Sequence, residues 1–287
     1  KWVRVVWGIG CLYLVLAVLY GIIAPPFESP DEVGHFFATK YIADSGKLPA
    51  PEKDVAQEYL YGQEGTQPPL YYLVGALLLR ASGVSTTDAA GYLHVNPHTT
   101  CGSPQLVGNK GFLAHDPVRE SFPWRGAIRA LHLLRIYSTV LGLATVLGVY
   151  AIALLCFPKQ PEVGVLAAAL TALNPQFLFV SGGINNDNLA VPMCTWALYW
   201  LLRVHFQGFS PAKSILAGVF IGLASLSKLT GVLLVPLAAL MLILQAWREH
   251  RAVVNFQISL QVGREVALIV VPAIAISGWW YLRNSLL

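Results

Sequence analysis

Long apolar runs, set apart by short polar stretches, leave this chain one kind of solvent to fold in. A helix needs about 20 apolar residues to cross the hydrocarbon of a bilayer. Runs of that order recur at residues 3–24, 127–157, 163–181, 189–202, 214–228, 230–247 and 266–282, and they read as seven spans. Charged residues make up 12% of the chain, half the roughly 25% of soluble domains, and the mean hydropathy is +0.58. The expectation is an all-α polytopic membrane protein. The formal charge of +4 comes without any Lys/Arg run, which sets nucleic acid aside as a partner. Cys11, Cys156 and Cys194 lie in apolar runs and only Cys101 in a loop, so there is no disulfide framework and no Cys/His zinc spacing. The first run lacks a small-residue cleavage site and reads as an uncleaved anchor. A start at Lys1 and an end at Leu287 without a polar tail read as part of a longer chain.

Residues 25–126 form one long polar loop holding 11 of the 15 acidic residues. Within it, residues 68–82 (PPLYYLVGALLLRAS) are apolar but short for a span, as interfacial or buried helices are. Charge decides their placement. If they do not cross, Lys1, Arg4, Lys159, Arg203, Lys213, Arg248, Arg251 and Arg264 share the N-terminal side, with only Lys228 and Arg283 opposite. If they do cross, most of those cations move outside, against the positive-inside bias. The segment is therefore expected flat on the outer surface. The N-terminus is then cytoplasmic, and the first loop, the 183–188 turn (GINNDN) and the 228–231 corner are extracytoplasmic. Asp187 becomes the one carboxylate that the later spans offer to the outer face.

The polar groups expected at that face each carry two readings. Ser29-Pro30-Asp31-Glu32 has the form of a capping box, with Ser at N-cap, Pro at N1 and Glu at N3. Asp31 and His35 would share one face of the helix that follows. A carboxylate fixed at a helix start beside the lipid is also well placed as a general base or as a ligand for a hard cation. Asp187 or Asn188 in GINNDN reads as a helix cap. Equally, Asp187 can face Asp31 across an outer cavity and complete a cation or phosphate site. Arg135 and Lys228 lie within apolar runs with no acid near them in sequence. Intramembrane cations mark function, and these two suit an anionic ligand entering from the bilayer, such as a lipid phosphate. The other reading of Lys228 is a structural ion pair with Asp187. Tyr71, Tyr72 and the Trp279-Trp280-Tyr281 group read as interfacial aromatics. His94, His98 and His115 lack ligand spacing and read as solvated or structural.

Four stretches, taken in order, resemble the GT-C superfamily of membrane glycosyltransferases, in particular the protein O-mannosyltransferases and bacterial family-39-like members. They are SPDEVGHF, similar to the acidic first-loop motif; QPPLYYLVGALL, similar to the interfacial helix; HLLRIYSTVLGLATVLGVYAIALL with LAAALTALNPQFLFVSGGINNDNL; and LAGVFIGLASLSKLTGVLLVP. The resemblance implies a seven-span module whose long extracytoplasmic first loop contains interfacial helices, sited in the cytoplasmic (inner) membrane. It implies transfer of a sugar from a polyprenyl-phosphate donor to an acceptor glycan, lipid or protein on the outer face. Asp31 would be the general base with Glu32 beside it. Asp187 would hold acceptor, donor phosphate or a cation, and Lys228 with Arg135 would neutralise the leaving phosphate. Some relatives use a divalent metal, for which Asp31, His35, Glu64 and Asp187 are the candidate ligands. Gln67 stands where relatives often carry His or a charged residue before the prolines. The competing readings are a non-catalytic GT-C-like scaffold within a larger membrane complex, and a transporter, which would need acidic or broken-helix residues near mid-bilayer.

Overall fold

The structure is a computed structural model that describes residues 2–50, 58–103, 105–249 and 256–286, with backbone only at 247–249 and 256–259. Lys1, Arg248 and Arg251, which entered the charge count above, lie outside the described side chains. Among the described residues eleven α-helices follow in order: α1 Trp2–Ile23, α2 Glu32–Ser45, α3 Leu70–Ser82, α4 Pro117–Glu120, α5 Gly126–Cys156, α6 Pro161–Ala172, α7 Pro175–Ser181, α8 Asp187–Gln207, α9 Pro211–Ser227, α10 Leu234–Glu249 and α11 Phe256–Leu286. Among the described residues there is no strand, only isolated bridges at Val95–Leu113 and Thr99–Asn109.

Among the described residues four stretches are long and apolar enough to cross a bilayer: Trp2–Ile23, Gly126–Cys156, Leu229–Ala246 and Leu260–Leu286. The pattern of exposure on α1 shows what surrounds it. Val6, Gly10, Tyr13, Ala17 and Gly21 face inward at helical spacing, whereas Trp7, Val15, Leu19 and Ile23 on the other faces are exposed. A helix whose outside is as apolar as its inside is solvated by lipid. The run at 163–181, expected as a single span, is instead broken into α6 and α7 with a 61° bend. The cause is local: Asn174 accepts the Gln176 and Phe177 N–H groups at 2.9 and 3.2 Å and Pro175 stands at N1, a complete start for a new helix. If the bent pair counts as one, the spans number five. Helices also occupy the remaining two runs, α8 and the 17-residue α9, without meeting the same length and hydropathy test.

Close packing depends on missing side chains. A Cβ on Gly182 would lie 2.9 Å from the Gly21 nitrogen and 3.0 Å from the Ala17 carbonyl, so α7 rests directly on the α1 backbone. Gly222 of α9 meets Ala273 of α11 in the same way. Small-residue contacts of this kind let dispersion drive association where lipid removes the hydrophobic incentive.

One end of the bundle gathers the polar first loop. There α2 packs on α3, and α3 on α5. At 13 residues, about 20 Å, α3 is too short to span the hydrocarbon. Tyr281 of α11 donates to the Ser225 carbonyl at 2.6 Å, and Arg283 reaches the Pro49 carbonyl at 3.0 Å. The end of α11, the end of α9 and the start of the first loop therefore lie together. Tyr71, Tyr72 and Trp280 are buried, at 1% exposure or less, not interfacial. The two tyrosine hydroxyls have partners inside the fold, Tyr71 with Ser138 at 2.7 Å and Tyr72 with Glu64 at 3.0 Å.

Candidate active site

The sequence PPFESPDE leaves α1 and turns sharply before α2. The turn is not a capping box. Helical geometry starts at Glu32, Asp31 before it is left-handed (φ 57°, ψ 7°), and the Ser29 hydroxyl is buried with no partner. Backbone bonds hold the turn instead, Glu32 N–H to Ser29 O and His35 N–H to Asp31 O, each at 3.1 Å. A left-handed residue other than Gly costs about 1–2 kcal/mol, and Asp is among the few that accept it. Asp31 is exposed, and its carboxylate has no hydrogen bond or ion pair among the described residues.

What fixes this turn is the residue after it. Glu32 is fully buried. Arg135 of α5 donates Nε to its Oε1 at 2.8 Å and Nη2 to its Oε2 at 2.6 Å, and the Ile184 N–H adds a bond at 3.1 Å. A guanidinium has five N–H donors. The other three go to the carbonyls of Gly21 and Ala24, both at 2.7 Å, and Pro25 at 3.0 Å. Arg135 thus satisfies carbonyls at the end of α1 that have no helical donor, while bolting α2 to α5. Two expectations are corrected. Glu32 is neither a cap nor a free catalytic carboxylate, and Arg135 has no donor left for a lipid phosphate. The acid that Arg135 lacks nearby in sequence is Glu32, 103 residues upstream.

The asparagines of GINNDN are brackets. Asn185 Oδ1 accepts the Asp187 N–H at 2.8 Å, so Asp187 and Asn188 do not cap α8 as expected. Asn188 donates to the carbonyls of Val180 and Gly183, and Asn186 donates at 3.2 Å to the carbonyl of Ser227, the last residue of α9. That tether places Lys228, next in the chain and in extended conformation, beside Asp187. Lys228 Nζ and Asp187 Oδ1 are 2.6 Å apart, with side chains 31% and 38% exposed. Lys228 is therefore not an unpaired cation. At this exposure the pair contributes little to stability, and both groups keep an open side.

The third group is buried under α2. His35 Nδ1 lies 2.9 Å from the Tyr72 hydroxyl and 3.4 Å from Glu64 Oε2, and Tyr72 donates to that same oxygen at 3.0 Å. Gly34 makes the approach feasible, since a Cβ there would lie 2.8 Å from Glu64 Cγ. Burial lowers the His35 pKa from 6.5 to about 4, with Asp187 opposing and Lys228 reinforcing the shift. Burial raises the Glu64 carboxyl above its ordinary 4.5, against the Tyr72 bond and with a smaller push from Asp31. His35 therefore feels Asp187 and Lys228, and Glu64 feels Asp31 and Lys228. All these groups stand within electrostatic reach at one end of the bundle. Tyr72 is the member that sequence reading missed. The only signal was that a buried Tyr must place its hydroxyl.

The His35 shift fixes the sign of an acid effect. Below pH 6.5 the unfolded chain protonates His35 while the folded chain does not until about pH 4. Wild type should thus lose stability relative to His35→Gln as pH falls through that window, by up to about 1.4 kcal/mol per unit. Glu64 works with the opposite sign, favouring folding when protonated, and cancels in the comparison. Paired unfolding titrations at pH 7, 6, 5 and 4 check this. A stability difference that stays constant would contradict it.

As a metal site the cluster does not fit. Among the described residues no three His, Cys, Asp or Glu side chains converge as ligands. His35 Nδ1 and Glu64 are already engaged with Tyr72, and Asp187 with Lys228. The candidate set Asp31, His35, Glu64 and Asp187 is thus not gathered as a ligand cluster among the described residues.

A family model described as dolichyl-phosphate-mannose-protein mannosyltransferase matches residues 130–276, just over half of the chain. No curated protein matches its sequence. Among solved structures, the S. cerevisiae protein O-mannosyltransferase Pmt1-Pmt2 complex bound to the sugar donor is similar over 97% of this chain, with a TM-score of 0.60 and 18% identity. The likeness is one of fold, the GT-C membrane fold. This chain spans 33% of the length of that one.

Proposed function

Because the chain belongs to the dolichyl-phosphate-mannose-protein mannosyltransferase family, we propose that it moves a sugar from a polyprenyl-phosphate donor to a hydroxyl of an acceptor glycan, lipid or protein. The observation that carries this reading is Asp31. It is the one exposed, unpaired carboxylate of the cluster, held in a left-handed turn that the buried Glu32–Arg135 pair locks against α1 and α5. The acceptor hydroxyl attacks the anomeric carbon and gives its proton to Asp31. The bond from that carbon to the phosphate oxygen breaks, inverting the centre, and the lipid phosphate leaves with the bonding electrons. Lys228 is the cation available to meet that charge, which the transition state needs more than the ground state does. Asp187 aims Lys228 and shares it with the phosphate.

This reading places the protein in the cytoplasmic (inner) membrane, with its N-terminus cytoplasmic and the cluster extracytoplasmic. Its structural neighbour is a complex bound to the sugar donor, which supports a donor site here and assembly into a larger membrane complex. Purified protein in proteoliposomes, given radiolabelled decaprenyl-phosphate mannose and a membrane extract as acceptor source, should release decaprenyl phosphate as label passes to acceptor. Lys228→Gln should lower kcat roughly tenfold or more, the worth of one charge-assisted hydrogen bond made mainly to the departing phosphate, with a smaller rise in donor KM. Folded protein that binds the donor and transfers nothing would overturn the reading.

A further inference from the structure

The proposed transfer uses Asp31, Asp187 and Lys228, and leaves the His35–Tyr72–Glu64 chain without a task. The directions of its hydrogen bonds follow from counting protons. A tyrosine hydroxyl has one proton, and that of Tyr72 goes to Glu64 Oε2. Towards His35, then, the Tyr72 oxygen can only accept, so Nδ1 carries the imidazole proton. Glu64 agrees, because its Oε2 lies 3.4 Å from Nδ1 and a bare nitrogen lone pair would be repelled there.

The other ring nitrogen is left as an acceptor. Nε2 has no partner among the described residues. Nor is it one of the sealed, partnerless atoms, which are Ser29 Oγ, Tyr137 Oη, Thr145 Oγ1 and Ser181 Oγ. The ring is only 3% exposed, and Nε2 is its one polar atom without a protein partner among the described residues. A fixed tautomer is how one ring nitrogen is set by the bond the other makes.

We infer that His35 is a sugar-binding residue of this site: Glu64 and Tyr72 hold its imidazole as the Nδ1–H tautomer, so that Nε2 accepts a hydrogen bond from a hydroxyl of the donor sugar. The assignment rests on the proposed transfer for its ligand. Asp31 takes the proton at the anomeric carbon, and His35 stands one turn on along α2 with its N–H on the Asp31 carbonyl at 3.1 Å, so His35 is a neighbour of the sugar that Asp31 serves.

The test has an arm that needs no turnover. In protein labelled with 15N-histidine, His35 at pH 7 should show a protonated-type Nδ1 and an unprotonated-type Nε2. Tyr72→Phe should mix or reverse the two. Decaprenyl-phosphate mannose should move the Nε2 resonance, and decaprenyl phosphate without the sugar should not. A wild-type ring protonated at Nε2, or equal shifts with both lipids, overturns the assignment. In the kinetic arm, His35→Gln should raise the donor KM roughly three- to tenfold, the worth of one neutral hydrogen bond, with kcat little changed. An unchanged KM also overturns it. Sugar-dependent shifts without any transfer would leave His35 in place and remove the proposed function alone.

Discussion

Glu32→Ala is expected to cost about 3–5 kcal/mol of stability, and Arg135→Ala a similar amount, because each leaves its partner charged, buried and alone. The geometry is the reason. Both side chains are at or below 2% exposure, the pair is bidentate, and Arg135 also holds three carbonyls at the end of α1. Arg135→Lys should not rescue, because an ammonium brings three donors in place of a planar five-donor fork. The informative measurement is a double-mutant cycle with Glu32→Leu and Arg135→Met, read by tryptophan fluorescence during unfolding in mixed micelles. Removing both charges abolishes the uncompensated one, so the double variant should be more stable than the sum of the singles requires by about 2–3 kcal/mol. It should still fall below wild type, since the α1 carbonyls lose their donors. Effects that add to within about 0.5 kcal/mol would show that this pair is not what locks the Asp31 turn.

That pair also shows where sequence reading stopped. Apolar runs were legible because length and composition are local properties, but the break at Asn174-Pro175 within the 163–181 run was not read, since a count of apolar residues passes over a helix start inside the run. The Glu32–Arg135 bond joins residues 103 apart, and no periodicity connects them. The capping box fitted SPDE by spacing alone, and a cap contributes about 1 kcal/mol, whereas an unpaired buried arginine costs several times that. The larger demand took Glu32, and Ser29 was left without a partner. The rule that a charge deep in a span pairs inside the protein was the one signal available, and the reading assigned Arg135 to a lipid phosphate instead of Glu32. Asp187 and Lys228 were legible as belonging to one face, because the charge bias oriented the helices that carry them. Their ion pair was one of two readings of Lys228, and what decides for it, bringing them to 2.6 Å, is Asn186 reaching the last carbonyl of α9, which no spacing shows. Tyr72 was hidden for a related reason: its partners come from α2 and from the turn at Gly62–Thr66, so its burial is a property of three elements meeting.

Asp31→Asn is expected to lower the transfer rate by about 10²–10⁴-fold, the usual worth of a positioned general base, while leaving stability within about 0.5 kcal/mol of wild type. The separation is what makes the variant useful. Asn matches Asp in shape and tolerates the left-handed conformation nearly as well, and the Asp31 carboxylate is exposed with no bond to lose. An amide cannot take the hydroxyl proton, so the loss should fall on kcat with the donor KM little changed. Asp31→Ala adds a backbone penalty of about 1–2 kcal/mol for a left-handed alanine, so it mixes the two effects and is the weaker test. Initial rates under saturating donor, beside unfolding curves of the same preparations, decide the matter. A rate within tenfold of wild type would take the base role from Asp31. Asp187 would then be the next carboxylate to examine, through Asp187→Asn. That variant differs in kind, because it frees Lys228 from its partner at 2.6 Å and should alter donor binding together with turnover.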